Sequence, residues 1–346
     1  MNHTRSLKIL AVIIVLFVIF AASIMLLPKN QKKTVVVYTS VDQVYSEAVF
    51  RAFENQTGIQ VLAVYDVEAT KTTGLVNRLI AEKNRPQADV FWSGEVGQTL
   101  LLKNESILAP YISPSASDIP QQYKDPEGYW TGFGGRARIF IVNTDRLTPD
   151  MYPKSVYDML DHRYEGSSIG IAYPMFGTTS THAAAIYSYL GREQARTFFG
   201  SMTKRGVRVV DGNSVVRDLV VNGQLAYGLT DTDDACSAVQ NGEHVTIIIP
   251  DQREGEMGTL VIPNTVALVA GSSHPADATK FIDYLLDKQT EEAMVKSGWI
   301  QIPVRNVSAV TSCVKTTGIR TIPVTYQDVY TGLQTTQKDL IEIFIR

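Results

Sequence analysis

Short β-branched runs alternate with amphipathic segments once the chain has passed residue 33. The run TVVVYTS is typical of a buried parallel strand, and apolar residues at helical spacing follow it from Tyr45 to Gln56. A second strand TGIQVLAVY, a second amphipathic segment ATKTTGLVNRLIAEKN and a third strand ADVFWSG continue the pattern. This alternation predicts right-handed crossovers and a mainly parallel sheet.

The rest of the chain repeats the alternation with different segments. The predicted strands are ARIFIVNTD, SSIGIAYP, GVRVVDGNS, QLAYGLTDTDD, VTIIIPDQ and GTLVIPNTVALVAG, and the segment HPADATKFIDYLLDKQTEEAMVKSG is helical. No solenoid repeat and no low-complexity linker divides the sequence. The pattern therefore predicts an α/β protein of two lobes, joined by crossing strands, with a ligand in the cleft between them.

The N-terminal segment has a different character. Arg5 and Lys8 precede the apolar stretch ILAVIIVLFVIFAASIMLLP, and Lys29 restores charge after it. The stretch predicts an export signal and approaches the roughly 20 residues that span a bilayer. An uncleaved membrane anchor is favoured over a removed peptide, and both remain open. Everything after about Lys33 is expected to be extracytoplasmic, in the periplasm or at the cell surface.

Composition and motifs exclude several classes of protein. The 346 residues carry a net charge of −3, which argues against a nucleic-acid partner. Two cysteines, Cys236 and Cys313, provide one disulfide or two thiols, but no disulfide-rich scaffold. No GxSxG, P-loop, HExxH or GxGxxG motif is present, so no enzyme is expected. A hydrolase that uses Glu68 and Asp233 as a carboxylate pair is a lesser alternative.

Acidic residues mark the ends of several strands. In GLTDTDDA, three carboxylates repel one another unless a cation or hydrogen-bond donors compensate. On an extended segment Asp231 and Asp233 project to the same side, whereas Asp234 is placed to cap the following helix. Glu68 and Glu95 follow strands of the first lobe and are expected to approach from the other side of the cleft. Glu68, Asp231 and Asp233 are the predicted metal ligands.

Groups that suit an anion follow other strands. In FGTTSTHAAA a turn opens a helix, so hydroxyls and free N–H groups form a predicted anion cradle, with simple helix capping as the alternative. The cradle comprises Gly177, Thr178, Thr179 and Thr181. In GGRAR, Arg136 and Arg138 have the same side-chain parity, and Arg136 is preferred for the cleft. Ser40 and Asn213, at other strand ends, are further ligand-binding candidates. Helix capping is an alternative explanation for the polar residues of the loop that contains Asn213.

Six blocks of sequence carry a resemblance to a known family. They are VVVYTSVDQVYSEAVFRAFENQTGIQV, DVEATKTTGLVNRLIAEKNRPQADVFWSGE, GGRARIFIVNTD, PMFGTTSTHAAAIYSYLGREQA, GLTDTDDA and GTLVIPNTVALVAGSSHPADATKFIDYLL. Together, from about Val35 to Val304, the chain resembles the extracellular solute-binding proteins of iron(III)-type ABC importers. The resemblance implies a type II periplasmic-binding-protein fold, closure on a ligand, and delivery to a membrane permease with its ATPase by a monomer.

The apolar N-terminal stretch and the resemblance together predict a division of the chain. Residues 1–33 are the signal or anchor that contacts the membrane, and residues 34–134 begin lobe 1. Residues 135–257 form lobe 2, residues 258–300 return to lobe 1, and residues 301–346 pack on lobe 2.

One departure from the family bears on the ligand. Ferric members place a tandem tyrosine pair after a Gly-Leu strand end, and the matching positions after Gly228 and Leu229 hold Asp233 and Asp234. The first expectation is ferric iron, Fe³⁺, with carbonate or phosphate completing its shell on the threonine turn and Arg136, a position that pairs with the anion in the family. The alternative is a phosphonate or phosphorylated metabolite, such as 2-aminoethylphosphonate or a sugar phosphate.

Overall fold

The computed structural model describes residues 33–41, 43–66, 73–175, 177–308, 313–314 and 318–345. The strands of the described residues are β1 (Thr34–Thr39), β2 (Gln60–Tyr65), β3 (Val90–Ser93), β4 (Leu108–Ala109), β5 (Thr131–Asn143), β6 (Ile169–Ala172), β7 (Arg208–Val210), β8 (Tyr227–Asp231), β9 (Val245–Ile248) and β10 (Val261–Val269). The α-helices are α1 (Gln43–Thr57), α2 (Thr73–Ala81), α3 (Val96–Asn104), α4 (Gly177–Leu190), α5 (Arg192–Arg205), α6 (Asn213–Val221), α7 (Thr232–Gln240), α8 (Pro275–Leu285), α9 (Lys288–Lys296) and α10 (Tyr326–Phe344).

The strands follow the predicted alternation and form one mixed sheet. Its order is β2-β1-β3-β10-β5-β8-β6-β7, with β4 added beside β10 and β9 beside β5. The pairs β1–β2, β1–β3, β6–β7 and β6–β8 are parallel, whereas β10 and β5 run antiparallel to their neighbours. The predicted α/β class is confirmed.

Strand β5 belongs to both halves of the sheet. Its first part, from Thr131 to Ala137, pairs with β10, and its second part, from Arg138 onward, pairs with β8 and β9. A crossing strand of this kind is the expected connection between two lobes. The predicted lobe boundaries themselves stay a prediction.

Three apolar clusters form the core. The first surrounds Trp92 and Phe281, the second surrounds Phe199 and Tyr227, and the third contains Phe91. Strands supply Phe91, Trp92 and Tyr227, because aromatic residues pack well on a pleated surface. Helices α8 and α5 supply Phe281 and Phe199. The functional side chains described below come from strand ends, from β5 and from helices α6 and α7.

The helix after β8 begins earlier than the sequence predicts. Thr232 is its first residue and Asp231 occupies the cap position, without a side-chain capping bond. The prediction that Asp234 caps this helix is therefore wrong. Its carboxylate instead accepts a hydrogen bond from the hydroxyl of Thr230, at 3.3 Å. The strand ends at Asp231 and the helix begins at the next residue, without a loop between them. No turn residue in the sequence marks this boundary.

Two features hold the C-terminal part of the chain in place. Cys236 and Cys313 form a disulfide with their Cα atoms 5.3 Å apart, which decides between the two alternatives left open by the sequence. Helix α10 packs on α4 and α5 and also contacts α3. The segment is thus in contact with elements from both predicted lobes.

The predicted signal or anchor spans residues 1–33, and residues 1–32 of it lie outside the described residues. Among the residues that the structure does describe, no helix is long and apolar enough to cross a membrane. Membrane contact through the N-terminal segment stays a prediction.

Candidate functional site

A cavity of about 340 Å³ lies between the two halves of the molecule. One wall comes from the ends of β1 and β3, the opposite wall from α6 and α7, and β5 supplies Arg136 at the base. The residues that line it are Ser40, Val41, Tyr45, Gly94, Arg136, Arg217, Asp233, Asp234, Cys236, Ser237, Gln240, Gly298, Trp299 and Gln301. Of the predicted site residues, the cavity therefore brings together Ser40, Arg136 and Asp233.

Two pairs of opposite charge line this cavity. Arg136 Nη1 donates to Asp233 Oδ2 at 3.1 Å, and Arg217 Nη1 lies 3.5 Å from Asp234 Oδ1. The side chains are partly exposed, with 24% of Arg136 and 39% of Asp233 accessible to solvent. Asp233 Oδ1, by contrast, is buried and has no hydrogen-bond partner among the described residues. The cavity thus presents both signs of charge to a ligand.

The crowding of charge alters the acid–base behaviour of these groups. Burial, and then the neighbouring Asp233 and Asp231 carboxylates, raise the pKa of Asp234 to about 7. Burial alone lowers the pKa of Arg136, yet the surrounding carboxylates, Asp233 foremost, raise it overall. The positively charged Arg136 guanidinium is therefore surrounded by carboxylates, each of which requires a positive partner.

Asp231 does not face the cavity. Its carboxylate accepts hydrogen bonds from Arg138 Nη1 at 2.8 Å, from the Thr178 hydroxyl at 2.5 Å and from Asn213 Nδ2 at 2.9 Å. Arg138 is fully buried, and 3% of the Asp231 side chain is exposed. The two arginines of GGRAR thus have separate partners, because Arg136 lines the cavity and Arg138 compensates Asp231 inside the protein.

The predicted anion cradle lies beside this buried pair. Helix α4 begins at Gly177, whose φ of +55° suits glycine, and the next hydroxyls are buried. Thr178 donates to Asp231, Thr179 donates to Asn213 Oδ1 at 3.2 Å, and Thr181 donates to the Gly177 carbonyl at 3.3 Å. These hydroxyls are already bonded within the protein and do not line the cavity. Anion binding at this turn stays a prediction.

Glu95 and Glu68 are the acidic ligand-binding residues predicted in the first lobe. Glu95 caps α3, because its carboxylate accepts hydrogen bonds from the N–H groups of Gly97 at 2.9 Å and Gln98 at 3.1 Å. Burial raises the pKa of Glu95 against the effect of these bonds. Glu95 does not line the cavity, and its ligand role stays a prediction. Glu68 lies outside the described residues, so its predicted metal-ligand role also stays a prediction.

Several cavity residues were not predicted from the sequence as ligand-binding residues. Tyr45 and Trp299 stack at one side, with ring centroids 6.2 Å apart and planes 30° from parallel. Arg217 and Gln240 come from helices α6 and α7. None of these follows a strand end, and strand ends are the positions where the sequence predicts ligand-binding residues. A helical face that carries Asp233, Asp234, Ser237 and Gln240 at spacings of three and four was the available signal for part of this wall.

The aspartates also form a potential cation site. Carboxylate oxygens of Asp231, Asp233 and Asp234 lie within 4.8 Å of one another. Oxygen ligands of this type suit hard cations. Each carboxylate, however, lies beside a guanidinium group: Arg138, Arg136 and Arg217 respectively. A cation would have to enter next to three positive charges.

Comparisons with known proteins agree with this architecture. An Fe(3+)-binding periplasmic protein of Serratia marcescens is 23% identical over 264 residues, which cover 75% of each chain. A putative 2-aminoethylphosphonate-binding periplasmic protein of Salmonella typhimurium is 24% identical over 269 residues, covering 77% of this chain and 75% of that one. The crystal structure of iron-bound HitA from Pseudomonas aeruginosa superposes with a TM-score of 0.78 at 20% identity, covering 89% of this chain and 99% of that one.

The match to a protein family identifies the class to which this protein belongs. The family described as bacterial extracellular solute-binding protein matches residues 85–322, more than half of the chain. Its members bind solutes and are not enzymes, and the relatives include a probable ABC transporter periplasmic-binding protein of Sinorhizobium fredii, 29% identical over 216 residues, which cover 61% of this chain and 59% of that one. The chain has the two-lobed fold of such proteins. It therefore belongs to the bacterial extracellular solute-binding protein family and binds a small solute for an ABC importer.

Proposed function

We propose that the cavity between the lobes binds a small organic ligand that carries a phosphonate or phosphate group together with an amine or hydroxyl groups. The observation that supports this is the pairing of Arg136 with Asp233 and of Arg217 with Asp234 at the cavity surface. A ligand of both charges can replace both halves of these pairs. A simple anion or cation would leave one member of the Arg136–Asp233 pair without its partner, which is costly in a partly buried site, whereas Arg217 also pairs with Asp218 at 2.8 Å.

The size of the cavity supports an organic ligand. About 340 Å³ is the space of roughly eleven water molecules, since each takes about 30 Å³ in the liquid. A molecule such as 2-aminoethylphosphonate fits this space. A ferric ion with one carbonate would leave much of it to water. The stacked rings of Tyr45 and Trp299 also provide an apolar surface for carbon atoms of a ligand.

Ferric iron with carbonate or phosphate is the second candidate. The cluster of three aspartates favours it, as do the relatives named for ferric iron. In that case Asp233 and Asp234 would bind the metal, and Arg136 and Arg217 would turn to the accompanying anion. The three guanidinium groups beside the cluster disfavour this arrangement.

Titration calorimetry on metal-stripped protein tests the proposal. We expect binding of 2-aminoethylphosphonate or a sugar phosphate, and at least about tenfold weaker binding by Asp233→Asn and by Arg217→Gln, since each loses one charged contact. Asp145→Asn is the matched control, because Asp145 pairs with His244 on the surface and does not line the cavity. Binding of ferric iron with carbonate, and of none of the organic ligands, would contradict the proposal.

A further inference from the structure

A buried side-chain oxygen without a hydrogen-bond partner among the described residues lies close to Gly94, a residue that lines the cavity. Asn264, on β10, is 3% exposed, and its Nδ2 donates to the Gly134 carbonyl at 3.2 Å. A carbonyl only accepts, so this bond fixes the orientation of the amide. Oδ1 therefore points to the other side, where it has no hydrogen-bond partner among the described residues. A buried acceptor without a donor costs free energy, and a ligand that supplies the donor removes that cost.

Three polar atoms, one of them this oxygen, surround the space that the missing side chain of Gly94 leaves open. A methyl group on Gly94 would lie 3.6 Å from Arg136 Nη2, 3.7 Å from Ser40 Oγ and 4.0 Å from Asn264 Oδ1. Gly94, Ser40 and Arg136 all line the cavity. The position is thus a corner of the ligand site, and we call Ser40, Gly94, Arg136 and Asn264 the Gly94 corner.

The atoms of the Gly94 corner have complementary roles. Ser40 Oγ accepts a hydrogen bond from the Gly94 N–H at 3.0 Å, which leaves the hydroxyl hydrogen to donate to a ligand. Arg136 Nη2 makes only a long contact, 3.4 Å, with the Gly94 carbonyl, so this nitrogen can also donate. The corner thus provides a positively charged donor, a neutral donor and one buried acceptor.

We propose that the Gly94 corner binds a tetrahedral oxyanion that retains one proton, as a phosphonate or phosphate ester does. Its anionic oxygens accept from Arg136 and Ser40, and its P–OH group donates to Asn264 Oδ1. This inference rests on the proposed function and names the form of the anionic group. A sulfonate has the same shape but no hydroxyl, so it leaves Asn264 Oδ1 unpaired.

The test compares two ligands that differ only in this group. Calorimetry near pH 6, where a phosphate still holds a large share of its second proton, compares 2-aminoethylphosphonate with 2-aminoethylsulfonate. We expect the wild type to bind the phosphonate at least about tenfold more tightly. In Asn264→Ala the ratio should fall to about twofold, because the acceptor that rejects the sulfonate is gone. Both ligands carry the same ammonium group, so a role of Asn264 in binding the amine would not produce this ratio.

A second variant covers the case in which Asn264→Ala fails to fold. Gly94→Ala places a methyl in the corner at ordinary contact distances, and the φ of Gly94 lies outside the left-handed region, so the fold should be kept. We expect an unchanged melting temperature and loss of binding of the phosphonate. Equal wild-type affinity for both ligands, or wild-type affinity in Gly94→Ala, would overturn this inference while leaving the proposed function in place. Failure of every phosphonate and phosphate ester to bind would overturn both.

Discussion

Asp231 and Asp233 are two residues apart and have different environments. On a strand they would face the same side, as the sequence predicts, but α7 begins at Thr232 and the side-chain period changes between them. The β5–β8 register places Asp231 opposite Arg138, 93 residues away in the chain. No local pattern reveals a pairing over this distance, so the sequence identifies the acidic cluster but not which carboxylate is compensated inside the protein.

Because of this difference, substitution of Asp231 is expected to lower protein stability, whereas substitution of Asp233 is expected to weaken ligand binding. Asp231→Ala leaves Arg138 fully buried without its counter-charge, and we expect the free energy of unfolding to fall by about 3–5 kcal/mol. Asp233→Asn alters a partly exposed pair and should cost at most about 1 kcal/mol, while ligand binding weakens. Urea unfolding of the two variants, with calorimetry on Asp233→Asn, measures both effects. Equal losses of stability would contradict this division of roles.

The helices and strands that surround the site are largely predictable from the sequence. The first helix, expected from Tyr45 to Gln56, runs from Gln43 to Thr57, because amphipathic spacing reports the buried face directly. The side chains in and beside the cavity are less predictable. Trp299 reaches the site from a turn after Gly298, and Asn264 lies inside β10 at an irregular pairing with β5. Tertiary packing places these residues, so no strand-end or capping signal identifies them.

Helix α7, which carries Asp233 and Asp234, is attached to the C-terminal segment by the Cys236–Cys313 disulfide. The bond closes a loop with a sequence separation of 77 residues. Loop-closure entropy in the unfolded chain predicts a stabilisation of about 4.5 kcal/mol for a loop of this length. We expect urea unfolding with a reducing agent, or of the Cys236→Ala/Cys313→Ala double variant, to show most of this loss. The reductant should not affect the double variant, and a further loss there would mean that it acts elsewhere.

Tyr326 connects the three apolar clusters of the whole molecule. Its ring packs against each of them, lies 6.4 Å from the ring of Tyr123 and 6.3 Å from that of Trp130, and its hydroxyl donates to the Val261 carbonyl at 2.7 Å. Because α10 also contacts helices of both predicted lobes, the start of this helix is placed to couple their unfolding. The chain has three tryptophans, and all of them belong to the first and third clusters.

This distribution allows the coupling to be measured. Tryptophan fluorescence follows the first and third clusters, whereas far-UV circular dichroism follows the whole chain, and in the wild type we expect both urea curves to coincide. Tyr326→Ala should lower stability by about 3 kcal/mol and separate the two curves, because the second cluster then unfolds independently. Tyr326→Phe keeps the ring, so its curves should coincide with a loss of about 1 kcal/mol for the missing hydroxyl. Coincident curves in Tyr326→Ala would mean that the Tyr326 ring is not needed for coupling, and that the crossing strand β5 and the remaining contacts of α10 couple the lobes without it.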